Sequence, residues 1–426
     1  MHWKKLLALT LLTLLAGFAV FCFWHATASG LVISPDSRHY IGAARSLLAG
    51  QGLTVNGSPM THFPPLLSVL LATGGWVSGL DPVVVARWLN AILLAANVFL
   101  MGYAIHRSTG AVLMAFLGGT LVLAATDIVE VHTWAWSEPA MLCFGLAGLV
   151  MLSGYFGERR LWRLSAAAGC LGAALLTRYA AMPLIVTALL GILLFRPGRF
   201  LGRMKDAGVF ALISCGPFVL WLVRNWWVAG TLTHRSFSQH PVYGLKYVKA
   251  QATVAQWFDF GTGMVTYDRQ TPILRVAASI SVVLVAVLIW KTIRPSRNAA
   301  GLSQVLRLPW LLLIFGVSYF SFLIVSITFF DANTPLNARI LSPLHFAAIG
   351  FSLMVLHAGC APYRWTRWTV AAASLVLGSW LIWAHVCHCG ERQFGPDLRP
   401  RHVRKRLFVP SKPIKPTLEP PGIAAH

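Results

Sequence analysis

The stretch "LLALTLLTLLAGFAVFCFW", residues 6–24, is a run of 19 residues without a charged side chain. A helix of this length can cross the hydrocarbon core of a bilayer, and it is longer than the apolar part of a cleavable signal peptide. Lys4 and Lys5 before the run and the "ATA" at 26–28 after it are also typical of a signal peptide. Because of its length, we interpret the run as an uncleaved first membrane span.

The composition extends this interpretation to the rest of the chain. Of its 426 residues, 57% are hydrophobic and 11% are charged, and the mean hydropathy is +0.66, as in membrane proteins. In a soluble domain the formal net charge of +22 would indicate nucleic acid as a partner. Since no basic run lies on a soluble fold, we attribute the charge to membrane topology and anionic lipid, and we predict no nucleic-acid partner.

Apolar runs long enough to cross a bilayer recur along the chain. Only helices and closed barrels satisfy the backbone in lipid, so the sequence predicts an all-α integral membrane fold with about eleven transmembrane helices. The runs lie near 6–24, 84–105, 111–127, 139–156, 163–180, 182–195, 207–224, 273–290, 308–330, 336–356 and 369–386.

The sequence predicts one polytopic membrane domain over residues 1–390 and a basic, proline-rich, disordered tail over 391–426. Two extracytoplasmic segments are long. The first, 25–83, contains two helical patterns too short to cross, which predicts interfacial helices. The second, 225–272, is rich in aromatic and basic residues and is interpreted as a lid or interfacial loop.

The loop charges predict the orientation. With the N-terminus inside, the short inside segments hold sixteen Lys and Arg and the outside segments eleven, as the positive-inside rule requires. The eight Lys and Arg of the tail would then lie outside, against this rule. Either the number of spans is wrong by one, or the last span determines the side of the tail regardless of its charge. Of the acids before the tail, Glu158 and Asp206 fall inside and eight fall outside. Longer outside loops explain part of this imbalance, and an extracytoplasmic catalytic or ligand-binding face explains the rest.

Cysteine usage gives no strong metal signal. The first four of the seven Cys lie in apolar runs, where a thiol behaves as a small hydrophobic group. The motif "HVCHCG" at 385–390 could bind a metal, but its C-x-C spacing differs from the usual C-x-x-C. We predict no metal site and no resident cofactor, and the use of a divalent metal stays open.

Two acids are candidates for catalysis. In "SPDSRHY", residues 34–40, Asp36 occupies the first turn of a predicted helix at the membrane surface, where a carboxylate can accept a proton from a hydroxyl. In "HTWAWSEPAML", residues 132–142, Glu138 lies where an outside loop enters a span. An acid there is costly unless it faces water or a partner. Each acid also fits a simpler role as a helix cap. Asp127 and Glu130 on the same loop are alternative candidates for the role of Glu138.

Cations at the outside ends of spans are candidates for binding an anionic group. A guanidinium binds phosphate oxygens in a bidentate manner, although arginines at helix ends also occur simply because their charge reaches the interface. The candidates are Arg178, Arg224, Arg235 and Arg339.

The order of several short stretches resembles the GT-C superfamily, in its bacterial aminoarabinose-transferase-like and protein-O-mannosyltransferase-like branch. The similarity covers most of residues 1–357, and no single stretch is specific. The stretches are "YIGAARSLLAGQGL" (40–53), "PPLLSVLLA" (64–72), "ARWLNAILLAANVFLMGY" (86–103), "WSEPAML" (136–142), "ALLTRYAAMPL" (174–184), "LVRNWWVAGTLT" (222–233) and "NARILSPLHFAAIGF" (337–351).

The resemblance implies an enzyme with 11 to 13 membrane helices that takes a sugar from a polyprenyl phosphate on the extracytoplasmic side and inverts the anomeric centre. The catalytic Asp of the family falls on Asp36, and its second acid falls on Glu138. One departure concerns the Lys that precedes Pro-Pro in aminoarabinose transferases, because His62 and Phe63 stand there in this sequence. A second departure is the acid pair of some members, since Ser37 follows Asp36 here.

These observations predict an inverting glycosyltransferase in the bacterial cytoplasmic membrane. The predicted general base is Asp36, with Glu138 assisting. The predicted substrate and phosphate contacts are Arg178, Arg224, Arg339, His39, Tyr40 and His62. The predicted partners are a polyprenyl-phosphate sugar, a glycan, lipid or protein acceptor, and membrane lipid. The alternatives are a transporter or flippase for lipid-linked saccharides, which would require ionisable residues within the spans, and a non-catalytic membrane scaffold.

Overall fold

The computed structural model describes residues 2–235, 237–241, 243–258, 267–293 and 299–360. The predicted span at 369–386, the possible metal motif at 385–390 and the predicted tail at 391–426 lie outside the described residues.

The described residues form fourteen α-helices, a two-stranded hairpin and one short 3-10 helix at Tyr179–Ala181. In chain order the elements are α1 (His2–Ala26), α2 (Pro35–Leu48), β1 (Thr54–Val55), β2 (Ser58–Pro59), α3 (Leu66–Ser78), α4 (Pro82–Thr109), α5 (Val112–Ala124), α6 (Thr126–Thr133), α7 (Glu138–Glu158), α8 (Leu161–Thr177), α9 (Met182–Phe195), α10 (Phe200–Ala229), α11 (Gly244–Gln256), α12 (Tyr267–Ile293), α13 (Ala299–Phe329) and α14 (Ala338–Cys360).

Within this part of the chain, seven helices are long and apolar enough to cross a membrane: α1, α4, α7, α10, α12, α13 and α14. Helices α5 and α6 meet at a bend of 59° and add an eighth span if they are counted as one. Three further apolar helices are shorter, and two of them, at Leu161–Thr177 and Tyr179–Phe195, correspond to the predicted runs at 163–180 and 182–195. The all-α, multi-pass membrane fold is confirmed.

The first extracytoplasmic segment contains both predicted helices, α2 and α3. Helix α2 begins where the sequence predicts, because Ser34 caps it: the Ser34 hydroxyl accepts from the Ser37 amide at 3.1 Å, and the Ser37 hydroxyl accepts from the Ser34 amide at 3.1 Å. Pro35 occupies the first helical position. This cap fixes Asp36 at the helix start.

A short hairpin, which the helical patterns of this segment do not predict, connects α2 to α3. Its two strands pair antiparallel around Asn56-Gly57, and both turn residues have positive φ, 52° and 78°. Asn-Gly is the preferred pair for such a turn, since both residues tolerate the left-handed region. Arg224 of α10 donates to the carbonyls of Met60 at 2.7 Å and Leu53 at 3.1 Å, and it thereby holds the hairpin against the bundle.

The segment before α2 is joined to the segment before α7. Val32 forms a parallel bridge with Trp134; its amide donates to Thr133 O at 3.0 Å, and its carbonyl accepts from the Ala135 amide at 3.3 Å. The Trp136 indole N–H donates to the Ser34 hydroxyl at 2.7 Å. These contacts bring together the starts of two helices that are about a hundred residues apart in sequence.

Small residues set the distances between neighbouring helices. A Cβ built on Gly172 of α8 would lie 2.8 Å from the Ser214 carbonyl oxygen of α10, so these two backbones approach as closely as a glycine allows. Close contacts of this type drive helix association in lipid, where no hydrophobic effect acts between helices.

Candidate functional site

Four charged side chains meet above the starts of α2 and α7, and we call Asp36, Glu138, Arg178 and Arg339 the acid–arginine cluster. Arg339 Nη2 lies 2.7 Å from Asp36 Oδ2, and Arg178 Nη1 lies 2.8 Å from Glu138 Oε1. Arg339 Nε also donates to Glu138 Oε1. Arg339 therefore bridges the two acids. Its contact with Asp36 is a close ion pair that lacks the direction of a hydrogen bond.

The two acids of the cluster differ in exposure. The Glu138 side chain is 1% exposed, and the Asp36 side chain is 32% exposed. A buried carboxylate requires cationic partners, because desolvation otherwise costs several kcal/mol. Glu138 has two arginines for this purpose, whereas Asp36 keeps access to solvent. Of the two acids, Asp36 is the one that lines the cavity and is accessible to solvent.

Buried neighbours fix the positions of the charged groups. The Trp136 ring lies 4.0 Å from the Arg339 guanidinium carbon, a cation–π contact. Tyr40 is fully buried, and its hydroxyl lies 3.1 Å from the Ser137 hydroxyl. Burial raises the pKa of the Tyr40 phenol above its ordinary value, so Tyr40 stays protonated and can donate a hydrogen bond.

A cavity of about 280 Å³ opens in front of the cluster. This volume is just below the range of about 300–1,000 Å³ for small-molecule sites. One part of the wall is apolar and includes Phe322, Leu323 and Ile340 of α13 and α14. The polar lining consists of Asp36, Tyr40, His62, Arg178, Tyr179, Arg235, Ser326, Asp331, Asn333, Thr334 and Arg339.

One side of the cavity was not predicted as part of the site. In the sequence, Arg235 is one of four similar arginines at the ends of spans, and no pattern distinguishes the segment around Asp331 as part of a site. Both Asp331 oxygens are occupied in their own turn, by the Asn333 amide at 3.2 Å and the Thr334 hydroxyl at 2.8 Å. Arg235 forms no ion pair within the described residues, and its buried Nε has no hydrogen-bond partner there. Arg235 therefore faces the cavity as a cation that is not paired with a carboxylate, unlike Arg178 and Arg339.

His62 lies between the two sides of the cavity. Burial lowers the pKa of its imidazole below the ordinary value, and the nearby Arg235 charge lowers it further. His62 is therefore neutral at pH 7 and can both donate and accept a hydrogen bond. The Phe63 ring beside it contacts the rings of His62, Tyr40 and His39, with centroid distances of 4.7, 5.0 and 5.6 Å.

The predicted site residues separate into three groups. Five of them line the cavity: Asp36, Tyr40, His62, Arg178 and Arg339. Glu138 lies behind them and contacts two of the lining arginines. Arg224 and His39 are not among the lining residues, because Arg224 holds the hairpin carbonyls and His39 contacts Phe63. The predicted phosphate-binding role of Arg224 thus has no geometric support, since both of its terminal nitrogens donate to backbone carbonyls.

The acids that compete with Glu138 lie elsewhere. Asp127 accepts from His345 Nδ1 at 2.8 Å, and Trp257 stacks on the His345 ring at a centroid distance of 4.7 Å. Glu130 is exposed on α6. Among the described residues, no group of three His, Cys, Asp or Glu side chains has the arrangement of a metal site.

Comparison with known proteins shows similarity in structure but not in sequence. No protein-family model matches the chain, and no curated protein matches it. The oligosaccharyltransferase of Archaeoglobus fulgidus, solved in complex with Zn and sulfate, aligns at 10% identity with a TM-score of 0.53, over 89% of this chain and 53% of that one. The same organism's oligosaccharyltransferase AglB, in complex with an inhibitory peptide and a dolichol-phosphate, aligns at 11% identity with a TM-score of 0.51, over 92% and 56%.

ArnT from Cupriavidus metallidurans, solved bound to undecaprenyl phosphate, aligns at 15% identity with a TM-score of 0.46, over 82% of this chain and 76% of that one. This chain spans about half the length of the oligosaccharyltransferases. The similarity to the oligosaccharyltransferases shows the fold alone: this chain shares the helical membrane fold of those proteins.

Proposed function

We propose that this multi-pass membrane protein with the GT-C fold transfers a sugar from a polyprenyl-phosphate carrier to an acceptor hydroxyl, with inversion. The observation that carries the proposal is Asp36: a partly exposed carboxylate on a cavity wall, held by an arginine that also binds a buried acid. The dolichol-phosphate of AglB supports a lipid-phosphate carrier.

In the proposed reaction, Asp36 is the general base. Oδ2 faces Arg339, and Oδ1 takes the proton of the acceptor hydroxyl as its oxygen attacks the anomeric carbon. The bond from that carbon to the phosphate oxygen breaks, and its electron pair leaves with the polyprenyl phosphate. A single displacement inverts the anomeric centre. The acceptor is a hydroxyl of a glycan, a lipid or a protein.

Glu138 acts as a positioning residue in this proposal. It is too buried to reach a substrate, but it fixes Arg178 and Arg339, and through Arg339 it orients Asp36. The leaving phosphate gains negative charge as the bond breaks, and fixed cations stabilise that charge. Arg235 is the proposed principal phosphate contact, because Arg178 and Arg339 are already paired with acids. Its planar guanidinium can bind two phosphate oxygens.

We place the reaction on the extracytoplasmic face of a bacterial cytoplasmic membrane. The inside-loop excess of Lys and Arg supports this orientation. The protein cations supply the positive charge in this mechanism, and we propose that no resident cofactor is required.

The test is transfer by the purified full chain from a labelled polyprenyl-phosphate sugar to a membrane acceptor. Asp36→Asn removes the base, and we expect transfer to fall by about 100-fold or more. Asp81→Asn is the matched control: Asp81 caps α4 and pairs with Arg45 at the surface, so transfer should not change. Equal transfer by wild type and Asp36→Asn would overturn the general-base assignment. Movement of the lipid-linked sugar across vesicles without any transfer would instead support the transporter.

A further inference from the structure

Two guanidinium groups that the proposed reaction does not use converge beside the end of α7 opposite Glu138. They belong to the neighbouring helices α4 and α8. Gly154 lies in the last turns of α7, about 24 Å along the helix from Glu138. A Cβ built on Gly154 would lie 2.4 Å from Arg107 Nη2 and 2.7 Å from Arg163 Nη1. Arg107 belongs to the end of α4, and Arg163 belongs to the start of α8. Both nitrogens therefore lie within 2.7 Å of one point above the glycine.

Within the described residues, the two guanidinium groups have one carboxylate partner between them, Glu158. Arg163 Nη2 pairs with Glu158 at 2.8 Å, but its Nε and Nη1 are buried and have no hydrogen-bond partner within the described residues. Glu158 is shared, because Arg160 also lies 3.4 Å from it. Arg107 forms no ion pair in the part of the chain that the structure describes. Arg107 is exposed, whereas the buried Nε and Nη1 of Arg163 have no partner, and two positive charges that converge here favour an anion between them.

We propose that Arg107 and Arg163, with Gly154 as the floor, bind the phosphate of an anionic phospholipid headgroup. Phosphate oxygens accept from guanidinium N–H groups, and two arginines can share one phosphate. Arg107 and Gly154 lie in the last turns of the candidate spans α4 and α7, and Arg163 lies in the first turn of α8 beside them. The ends of spans are where a protein meets lipid headgroups. The site is independent of the transfer reaction.

The glycine provides a direct test of the geometry. A methyl group at Gly154 would occupy the point on which both guanidinium groups converge. The atoms it meets are the ends of flexible side chains, so Gly154→Ala can fold while it pushes the two groups apart. Gly169 of α8 is the matched control, because a Cβ there has no atom within 4 Å.

The experiment is titration of the purified full chain in detergent with phosphatidylglycerol or phosphatidylcholine, with bound lipid counted by native mass spectrometry. We expect wild type to prefer phosphatidylglycerol, and we expect Arg107→Gln with Arg163→Gln to lose about 10-fold in its affinity for it. Gly154→Ala should lose several-fold, and Gly169→Ala should match wild type. If the double variant fails to fold, Gly154→Ala and the charge-keeping Arg163→Lys replace it, and both should weaken binding.

Two results would overturn the proposal: equal affinity of wild type and Gly154→Ala for phosphatidylglycerol, or equal affinity of wild type for the two lipids. Inorganic phosphate is the second arm. Thermal stabilisation of wild type, but not of Gly154→Ala, by millimolar phosphate alone would support the same anion chemistry with a soluble source.

Discussion

Helix α7 has a buried carboxylate–arginine group at each end, and the two groups differ in what surrounds them. At its start, Glu138 binds Arg178 and Arg339, next to the cavity and the partly exposed Asp36. At its other end, Tyr155 and Arg196 both donate to Asp206 of α10. We call Tyr155, Arg196 and Asp206 the inner cluster. None of its residues lines the cavity.

This comparison shows that a buried ion pair is not specific to the proposed reaction site. Both groups contain a nearly buried acid with two polar partners, and both satisfy the same electrostatic requirement. The difference is that the acid–arginine cluster includes Asp36, whose side chain is 32% exposed at the cavity. It also faces Arg235, a cation that forms no ion pair within the described residues. Access and an unpaired cation, rather than burial, indicate chemistry.

The largest expected difference follows from removing the buried charge of each group. Glu138→Gln and Asp206→Asn should each reduce the free energy of unfolding by up to about 3–5 kcal/mol, the range for breaking a buried ion pair. Glu138→Gln should also lower kcat by at least about 10-fold, because Arg339 then no longer orients Asp36. Asp206→Asn should leave the kcat of the folded fraction within about 2-fold of wild type.

The measurements are thermal unfolding in detergent and transfer normalised to folded protein. A fall in kcat for Asp206→Asn as large as that for Glu138→Gln would remove the functional distinction between the two ends of α7.

A smaller effect, on the KM for the donor, should distinguish Arg235 from Arg178 and Arg339, which are paired with acids. Arg235→Gln should raise the KM for the polyprenyl-phosphate donor by about 10-fold, equivalent to about 1.4 kcal/mol of binding. The unfolding temperature should change little, since Arg235 forms no ion pair within the described residues. Arg235→Lys keeps the charge but loses bidentate geometry, so its KM should lie between the two. The KM is measured from steady-state transfer rates at a series of donor concentrations. An unchanged KM in Arg235→Gln would contradict the proposed phosphate contact.

The smallest expected effect is the pH dependence due to His62. Its pKa is lowered in the folded protein by burial and by Arg235, so the unfolded chain binds the proton more readily. The stability that depends on neutral His62 is therefore complete above its ordinary pKa of about 6.5 and is lost as the pH falls through and below that value. Between pH 7.5 and about 5, the unfolding temperature of His62→Gln should fall less than that of wild type. Parallel plots of unfolding temperature against pH for the two proteins would contradict this role.

The sequence was most informative about local features. Ser34 as the cap and Pro35 as the first helical residue predicted the start of α2 and the place of Asp36 on it, because capping is a property of neighbouring residues. It was less informative about the arginines. Arg224, Arg235 and Arg339 all look alike as cations near the ends of spans, and only two of them line the cavity. The Asn56-Gly57 hairpin had a recognisable turn signal that the helical patterns on either side obscured.

The sequence alone determined that this chain forms apolar membrane helices and that an acid begins the first helix after α1, because hydropathy and capping are properties of neighbouring residues. Only the tertiary structure decided that Arg339 bridges Asp36 and Glu138, and that Arg235, rather than Arg224, faces the cavity. Arg339 and Glu138 lie 201 positions apart. Whether such residues meet depends on the rotation and packing of helices against one another, which no local pattern specifies.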